Sequence, residues 1–171
     1  MMDAERAREF LLELPHVVET MQWGANLLFW VGDKAIGGKM YALIHLEGVG
    51  TGVCWFSAGP EHYAELVEIE GIIPAPYMAR AHWVTIERWD VLRPSQWREE
   101  LKAAHARVLE KLPPKTKKLL ELPQKERAAL IQKRNTQEDK KPEDIKQESK
   151  EKESRKKKPA AKKIAAKSSR K

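Results

Sequence analysis

The 171-residue sequence contains a single cysteine, Cys54, and several common features are missing altogether. One cysteine cannot form an intrachain disulfide or a zinc framework, and its neighbours Val53, Trp55 and Phe56 favour a buried thiol over a reactive one. The N-terminal segment MMDAERAREF has no apolar run and so does not resemble a signal peptide. No stretch approaches the roughly 18 apolar residues of a membrane span. We therefore expect a soluble, cytoplasmic protein with no membrane partner.

Aromatic residues are absent after Pro123, whereas the part before it holds all six Trp, three Phe and three Tyr. The segment from Pro123 to the end carries 18 Lys and Arg against 8 Asp and Glu, a net charge of +10. The preceding 122 residues carry 14 against 17, a net charge of −3. We therefore predict a folded domain over residues 1–122, a mixed-charge, partly helical linker over 123–153, and a disordered lysine-rich tail over 154–171.

The order of the predicted elements indicates an α+β fold. Helical spacing of apolar residues and proline boundaries predict four helices, over residues 3–14, 60–69, 95–112 and 115–122. Short β-rich runs between Val17 and Ser57 predict a meander of about four strands. The stretch GIIPAPY predicts a loop, which leads to a last strand, WVTIERW. This segregation is typical of an antiparallel sheet with helices packed on one face.

Sequence motifs of catalysis and of metal or cofactor binding are absent as well. The stretch GDKAIGGK, residues 32–39, fails the phosphate-binding pattern GxxxxGK[ST] in either register, and a Gly-rich hairpin turn explains it better. The five histidines include no pair at i,i+4 spacing. No nucleophile, base and orienting group stand in a recognisable relation. We therefore expect no enzymatic activity, no cofactor and no bound metal.

The stretch MARAHWVTI, residues 78–86, opens the last predicted strand with residues suited to a binding surface. Alternation along a strand places Trp83 on the opposite face from Val84 and Ile86. If the apolar pair faces the helices, Trp83 lies on the far side of the sheet. It is then either an exposed stacking residue or covered by a neighbour such as Trp55, and both interpretations stay open. His82 is expected to be a hydrogen-bonding residue at the strand start.

Three stretches follow one another along the chain: LLFWVGDKAIGGKMYALI, then VCWFSAGPEHYAELVEIEGIIPAPYMARAHWVTI, then, after a helix, LPPKTKKLL. Over about residues 3–122 they resemble the MmcQ/YjbR family, most specifically in GKMYAL, IIPAPYM and the pair His82-Trp83. The resemblance implies a small bacterial protein with a CyaY-like, or frataxin-like, fold, no established enzymatic activity, and a double-wing arrangement of hairpins for DNA binding. Relatives usually have Asn-Lys where this chain has Ala79-Arg80, and the basic tail lies outside the family domain.

The tail and the resemblance together predict a non-enzymatic nucleic-acid-binding protein, with DNA as the first partner and RNA or single-stranded DNA as alternatives. Nine cations in the tail would bind phosphates largely without regard to sequence, in the cytoplasm or at the nucleoid of a bacterium. The net charge of −3 limits the domain's own contacts to its hairpins and the Arg80 region. The predicted contact residues are Lys34, Lys39, Arg80, His82, Trp83, Arg155, Lys156, Lys157, Lys158, Lys162, Lys163, Lys167, Arg170 and Lys171.

Two other functions stay open at the level of sequence. In the first, the sheet face around Trp83 docks a protein partner, and the tail is only a tether. In the second and weaker one, the protein handles metal as frataxin does, although Arg6 and Arg8 interrupt the acidic side chains of the first helix. Pull-down that resists nuclease and salt would favour the first alternative, and heat on titration with ferrous iron would favour the second.

Overall fold

Helix α1 (Ala4–Glu13) shows how local sequence signals set the elements in this computed structural model, which describes residues 1–47, 50 and 52–138. Asp3 caps the helix because its carboxylate accepts a hydrogen bond, at 2.9 Å, from the backbone N–H of Arg6. Ala7 and Leu11 lie one turn apart and are the buried side chains of the helix. The helix ends before Pro15, as its sequence predicts.

Six strands form one antiparallel sheet in the spatial order β1-β2-β3-β4-β6-β5. The first four strands follow one another as the predicted meander. The chain then places β6 between β4 and β5, so the last strand of the sequence is not at the edge of the sheet. The strands are β1 Val17–Gln22, β2 Asn26–Val31, β3 Lys39–His45, β4 Cys54–Ser57, β5 Ile72–Pro74 and β6 Trp83–Ile86.

The structure departs from the predicted elements at the last two strands. Residues 72–74, predicted as part of a loop, form the edge strand β5, where proline is tolerated because one side of the strand is unpaired. Strand β6 ends at Ile86 instead of continuing to Trp89. Beyond it, the backbone N–H of Glu87 donates to the carbonyl of Gly71 at 2.9 Å, which draws the chain towards the start of β5.

Four further helices follow in the second half of the chain. They are α2 Pro60–Leu66, α3 Pro94–Lys111, α4 Pro114–Leu120 and α5 Gln124–Glu138. Proline stands in the first turn of α2, α3 and α4, where its missing N–H leaves no helical hydrogen bond unmade. Among the helices of the described residues, none combines the length and the apolar character that crossing a membrane requires.

Helices α1, α2 and α3 pack against one face of the sheet and confirm the predicted α+β arrangement. That face and the helices share one hydrophobic core, which includes Leu11, Phe29, Ile44, Phe56, Leu66, Val84, Ile86, Trp97 and Leu101. Cys54 belongs to the same core and is fully buried, as predicted. Burial raises the pKa of its thiol, which is thereby kept protonated and unreactive.

The opposite face of the sheet, called the outer face below, buries a smaller set of side chains outside this core. Leu28, Leu43 and Trp83 belong to the set. Trp55 lies between Leu43 and Thr85, which are its partners on the two neighbouring strands. Cross-strand neighbours of this size cover one another, so aromatic and aliphatic side chains on this face bury part of the sheet.

The strand register also fixes which loops lie together at each end of the sheet. At one end, β2 leads into β3 through residues 32–38, β4 leads into α2, and β5 leads into β6 through residues 75–82. At the other end lie the turn 23–25, the residues that follow β3, and the junction between Gly71 and Glu87.

The first compact unit runs from Met1 to Arg134 and so contains most of α5. Of the second unit, residues 135–171, the structure describes only 135–138, the end of that helix. The predicted linker beyond this point and the predicted tail lie outside the described residues.

Candidate nucleic-acid interface

The loop between β2 and β3 is a closed, glycine-dependent turn that presents two lysines. The Asp33 carboxylate accepts a hydrogen bond, at 2.8 Å, from the backbone N–H two residues later. A Cβ on Gly38 would lie 1.9 Å from the carbonyl oxygen of Gly32, so only glycine permits this closure. The Gly-rich hairpin turn is therefore confirmed. Lys34 and Lys39 are both exposed at its sides.

Helices α4 and α5 contact this loop and add their own charges to it. The loop approaches α4 closely, since a Cβ on Gly37 would lie 2.5 Å from Thr116 Oγ1. The Arg134 guanidinium on α5 donates to the carbonyl of Ala35 at 3.0 Å. Arg127 donates to the last carbonyl of α4 at 2.8 Å, which joins the two helices. The loop, α4 and α5 therefore form one surface.

Residues 75–82 lie at the same end of the sheet as this loop. Strand β6 begins with Trp83 opposite Ser57, the last residue of β4, and β4 pairs with β3. Two strand spacings of about 4.8 Å each place the base of the loop about 10 Å from β3. Arg80 lies in the middle of a 3₁₀ turn, Ala79–Ala81, and is exposed. The structure thus brings the predicted contacts Lys34, Lys39 and Arg80 to one end of the sheet.

We call residues 31–39, 75–82 and 113–134 the basic end, because they hold ten Lys and Arg against three Asp and Glu. Two of the arginines and Lys117 donate to backbone carbonyls. Six exposed lysines have no hydrogen-bond or ion-pair partner among the described residues, and we call them the lysine platform. They are Lys34, Lys39, Lys115, Lys118, Lys125 and Lys133.

The opposite end of the sheet carries a group of exposed carboxylates, and we call it the acidic end. It is formed by Glu47 after β3, Glu70 before β5, and Glu87 after β6, all exposed. Arg88 forms an ion pair with Asp90 at 3.2 Å and adds no net charge. A polyanion would therefore meet repulsion here and attraction at the basic end.

Trp83 is buried, with 6% of its surface exposed, on the face opposite Val84 and Ile86. The predicted alternation is confirmed, but an exposed Trp83 is wrong, because the side chain is buried on the outer face. Of the two interpretations that the sequence left open, the structure shows the covered tryptophan. Its ring is not available to stack on a base.

His82 connects the 75–82 loop to α2 and to the end of β4. Its backbone has a positive φ of 58°, and it ends the 3₁₀ turn before β6. Its ring packs edge-on against Tyr63 of α2, with 5.5 Å between ring centroids. The backbone carbonyl of His82 accepts a hydrogen bond from Ala58 N–H at 2.9 Å, whereas its imidazole makes none within the described residues. His82 thus holds the 75–82 loop against α2.

Sequence reasoning missed two features of this end. One is the contribution of α4 and α5. The net charge was counted separately before and after residue 122, and this boundary assigns the lysines of α4 and those of α5 to different segments. The other is Tyr77, which is fully exposed in the 75–82 loop and has a φ of 62°. The tetrapeptide APYM, with proline in second position, is a turn signal that could have placed an aromatic residue at a loop tip.

The described residues form no group of three or more His, Cys, Asp or Glu suited to a metal ion. On α1, Arg8 is paired with Glu19 of β1 at 2.6 Å, so the acidic side chains of this helix are interrupted by cations. A cavity of about 370 Å³ beside α4 is lined by His16, Glu110 and Lys117. Burial and then the charge of Arg127 lower the pKa of His16, which is therefore neutral near pH 7.

Nine of the predicted contact residues lie outside the described residues. They are Arg155, Lys156, Lys157, Lys158, Lys162, Lys163, Lys167, Arg170 and Lys171.

Comparison with known proteins identifies the family. The YjbR family model matches residues 12–107, more than half of the chain. The crystal structure of a Deinococcus radiodurans protein with the family-model domain DUF419 is similar, with a TM-score of 0.62 and 26% sequence identity over 72% of this chain and 91% of that one. No curated protein matches the chain. Helices α4 and α5 lie beyond the residues that the family model matches. The chain belongs to the YjbR family.

Proposed function

We propose that this protein binds nucleic acid without catalysing a reaction, largely without regard to sequence, through its basic tail and the basic end of its folded unit. The observation that carries the proposal is the lysine platform. Six lysines on three contacting elements are exposed and have no partner among the residues that the structure describes. Exposed cations of this kind on a folded surface suit the regularly spaced phosphates of a nucleic acid.

The tail adds further cations along the sequence, beyond the linker that follows α5. It holds nine cations and no acidic residue between Ser154 and Lys171. Each phosphate that a cation neutralises adds about −0.9 to the slope of log affinity against log salt. Tail and platform together would therefore give tight binding at low salt and a steep loss of affinity as salt rises.

Low sequence specificity follows from the kind of side chain that the surface offers. Lysine is a flexible point charge, and contacts to phosphate position a protein on nucleic acid without identifying bases. DNA as the first partner, the double-wing arrangement, the CyaY-like fold, a bacterial source and a place in the cytoplasm or at the nucleoid are parts of the same proposal and rest on the family resemblance.

The experiment that tests the proposal compares two full-length proteins by fluorescence anisotropy. The first is the wild-type chain, and in the second the nine tail cations are replaced by glutamine. We expect the wild type to bind duplex DNA with a steep salt slope, and the variant to lose up to about 8 from that slope. Absence of wild-type binding to DNA and RNA, or an affinity indifferent to salt, would overturn the proposal and leave a protein-docking role in its place.

A further inference from the structure

The loop 75–82 is closed by backbone hydrogen bonds and presents one aromatic ring to solvent. Its backbone makes consecutive hydrogen bonds, from Met78 N–H to Ala75 at 3.1 Å and from Ala81 N–H to Met78 at 3.0 Å. The first residue of β6 also bonds to both residues that flank the loop tip: Ala75 N–H donates to the Trp83 carbonyl at 3.0 Å, and Trp83 N–H donates to the Met78 carbonyl at 3.3 Å. These hydrogen bonds constrain the backbone on both sides of the loop tip.

Tyr77 occupies that tip in a conformation that disfavours its side chain. The turn from Ala75 to Met78 has proline in second position and a positive φ of 62° at Tyr77, in third position. Glycine or asparagine is usual there, since a bulky residue is strained. Tyr77 is nonetheless 103% exposed. Neither core packing nor turn chemistry accounts for an aromatic residue here, and strain of this kind gathers at functional sites.

We infer that Tyr77 is a base-stacking residue and that Arg80, exposed three residues later, contacts the adjoining phosphate. The inference rests on the proposed function and names the form of nucleic acid that this loop takes: a strand with unpaired bases. An aromatic ring stacks on any base, whereas the bases of a regular duplex are already stacked on one another. The loop's place at the basic end supplies the phosphate contacts that hold such a strand beside the ring.

The test uses the full-length chain and three labelled probes: a single-stranded oligonucleotide, its duplex, and a single strand of the same length with abasic sites. We expect Tyr77→Ala to weaken binding to the base-bearing single strand by about 5- to 100-fold. Binding to the abasic strand and to the duplex should stay within twofold of wild type. Tyr77→Phe keeps the ring and should bind as the wild type does.

Two further variants separate binding from folding. Tyr77→Gly relieves the positive φ and should melt at or above the wild-type temperature, yet lose the same single-strand affinity. Trp23→Ala removes an exposed ring at the acidic end and should change no affinity. The inference is overturned if Tyr77→Ala binds the single strand as tightly as the wild type, or weakens all three probes equally. Wild-type chain that binds none of the probes would instead refute the proposed function itself.

Discussion

The two ends of the sheet differ in charge although the same six strands connect them. The basic end holds ten Lys and Arg against three Asp and Glu, while the acidic end presents Glu47, Glu70 and Glu87. Over residues 1–134 the charges balance, with 18 of each sign. The net charge of residues 1–134 is therefore zero although positive and negative side chains are concentrated at different ends. The position of the charges, and not their sum, decides whether a polyanion is attracted.

The difference arises mainly from two helices that lie beyond the family-matched residues. Without α4 and α5 the basic end would retain only Lys34, Lys39 and Arg80 as exposed cations on its loops. Contact of these helices with the glycine turn brings seven more Lys and Arg to the same surface. These two helices thus concentrate cations at the end of the sheet where the glycine turn lies.

Among the changes that compare the two ends, the largest effect should follow from removing the positive charge of the basic end. Replacing all six platform lysines with glutamine should lower the slope of log affinity against log salt by up to about 5, because six phosphate contacts are lost. All six side chains are exposed, so the fold should be unaffected. Salt titrations of duplex binding by anisotropy measure this slope.

A matched control acts on the other end. Glu47→Gln, Glu70→Gln and Glu87→Gln together neutralise the acidic end, and they should leave the salt slope unchanged. If the glutamate substitutions changed the salt slope as much as the lysine substitutions do, the position of a charge would not matter. That result would contradict the proposed difference between the two ends.

A smaller effect should separate folding from binding at the basic end. Trp83→Ala removes a buried ring at the first residue of β6 and should lower the free energy of unfolding by about 3–5 kcal/mol, measured by urea denaturation. Under conditions where the variant stays folded, its single-strand affinity should match the wild type. A selective loss of that affinity would return Trp83 to the binding surface and would contradict its burial.

The smallest effect lies in the helical layer between the ends. His62 on α2 is within 2.8 Å of Glu100 on α3 and within 2.9 Å of Glu65, and these carboxylates raise its pKa. A raised folded pKa gives stability that is complete below about pH 6.5 and is lost as pH rises through the folded value. The melting temperature of wild type should therefore exceed that of His62→Gln most below about pH 6, and the difference should shrink towards pH 8. A difference that grows with pH would contradict the charged pair.

Local signals were sufficient to predict most elements of the fold. Proline boundaries and helical spacing placed α1, α3 and α4, and glycine-flanked β-rich runs placed the four-stranded meander. The edge strand β5 was missed because three residues with a proline give no periodic pattern, and it forms only by pairing with β6.

The candidate site was harder to predict because it depends on contacts between distant segments. Alternation placed Trp83 on the outer face, but alternation does not report whether that face is covered, and Trp83 is buried there. The link between Arg134 and Ala35 spans 99 positions and has no sequence signature. Lys34, Lys39 and Arg80 were named from charge alone, and only the register showed that they share one end.

Hydrogen–deuterium exchange of the full-length chain, with and without a short DNA duplex and its single strand, tests the central claim most directly. We predict protection of residues 31–39 and 113–134 with both probes, protection of residues 75–82 with the single strand, and no change around Glu47, Glu70 and Glu87. Protection at the acidic end, or none within residues 1–134 while the tail alone responds, would contradict a nucleic-acid interface at the basic end.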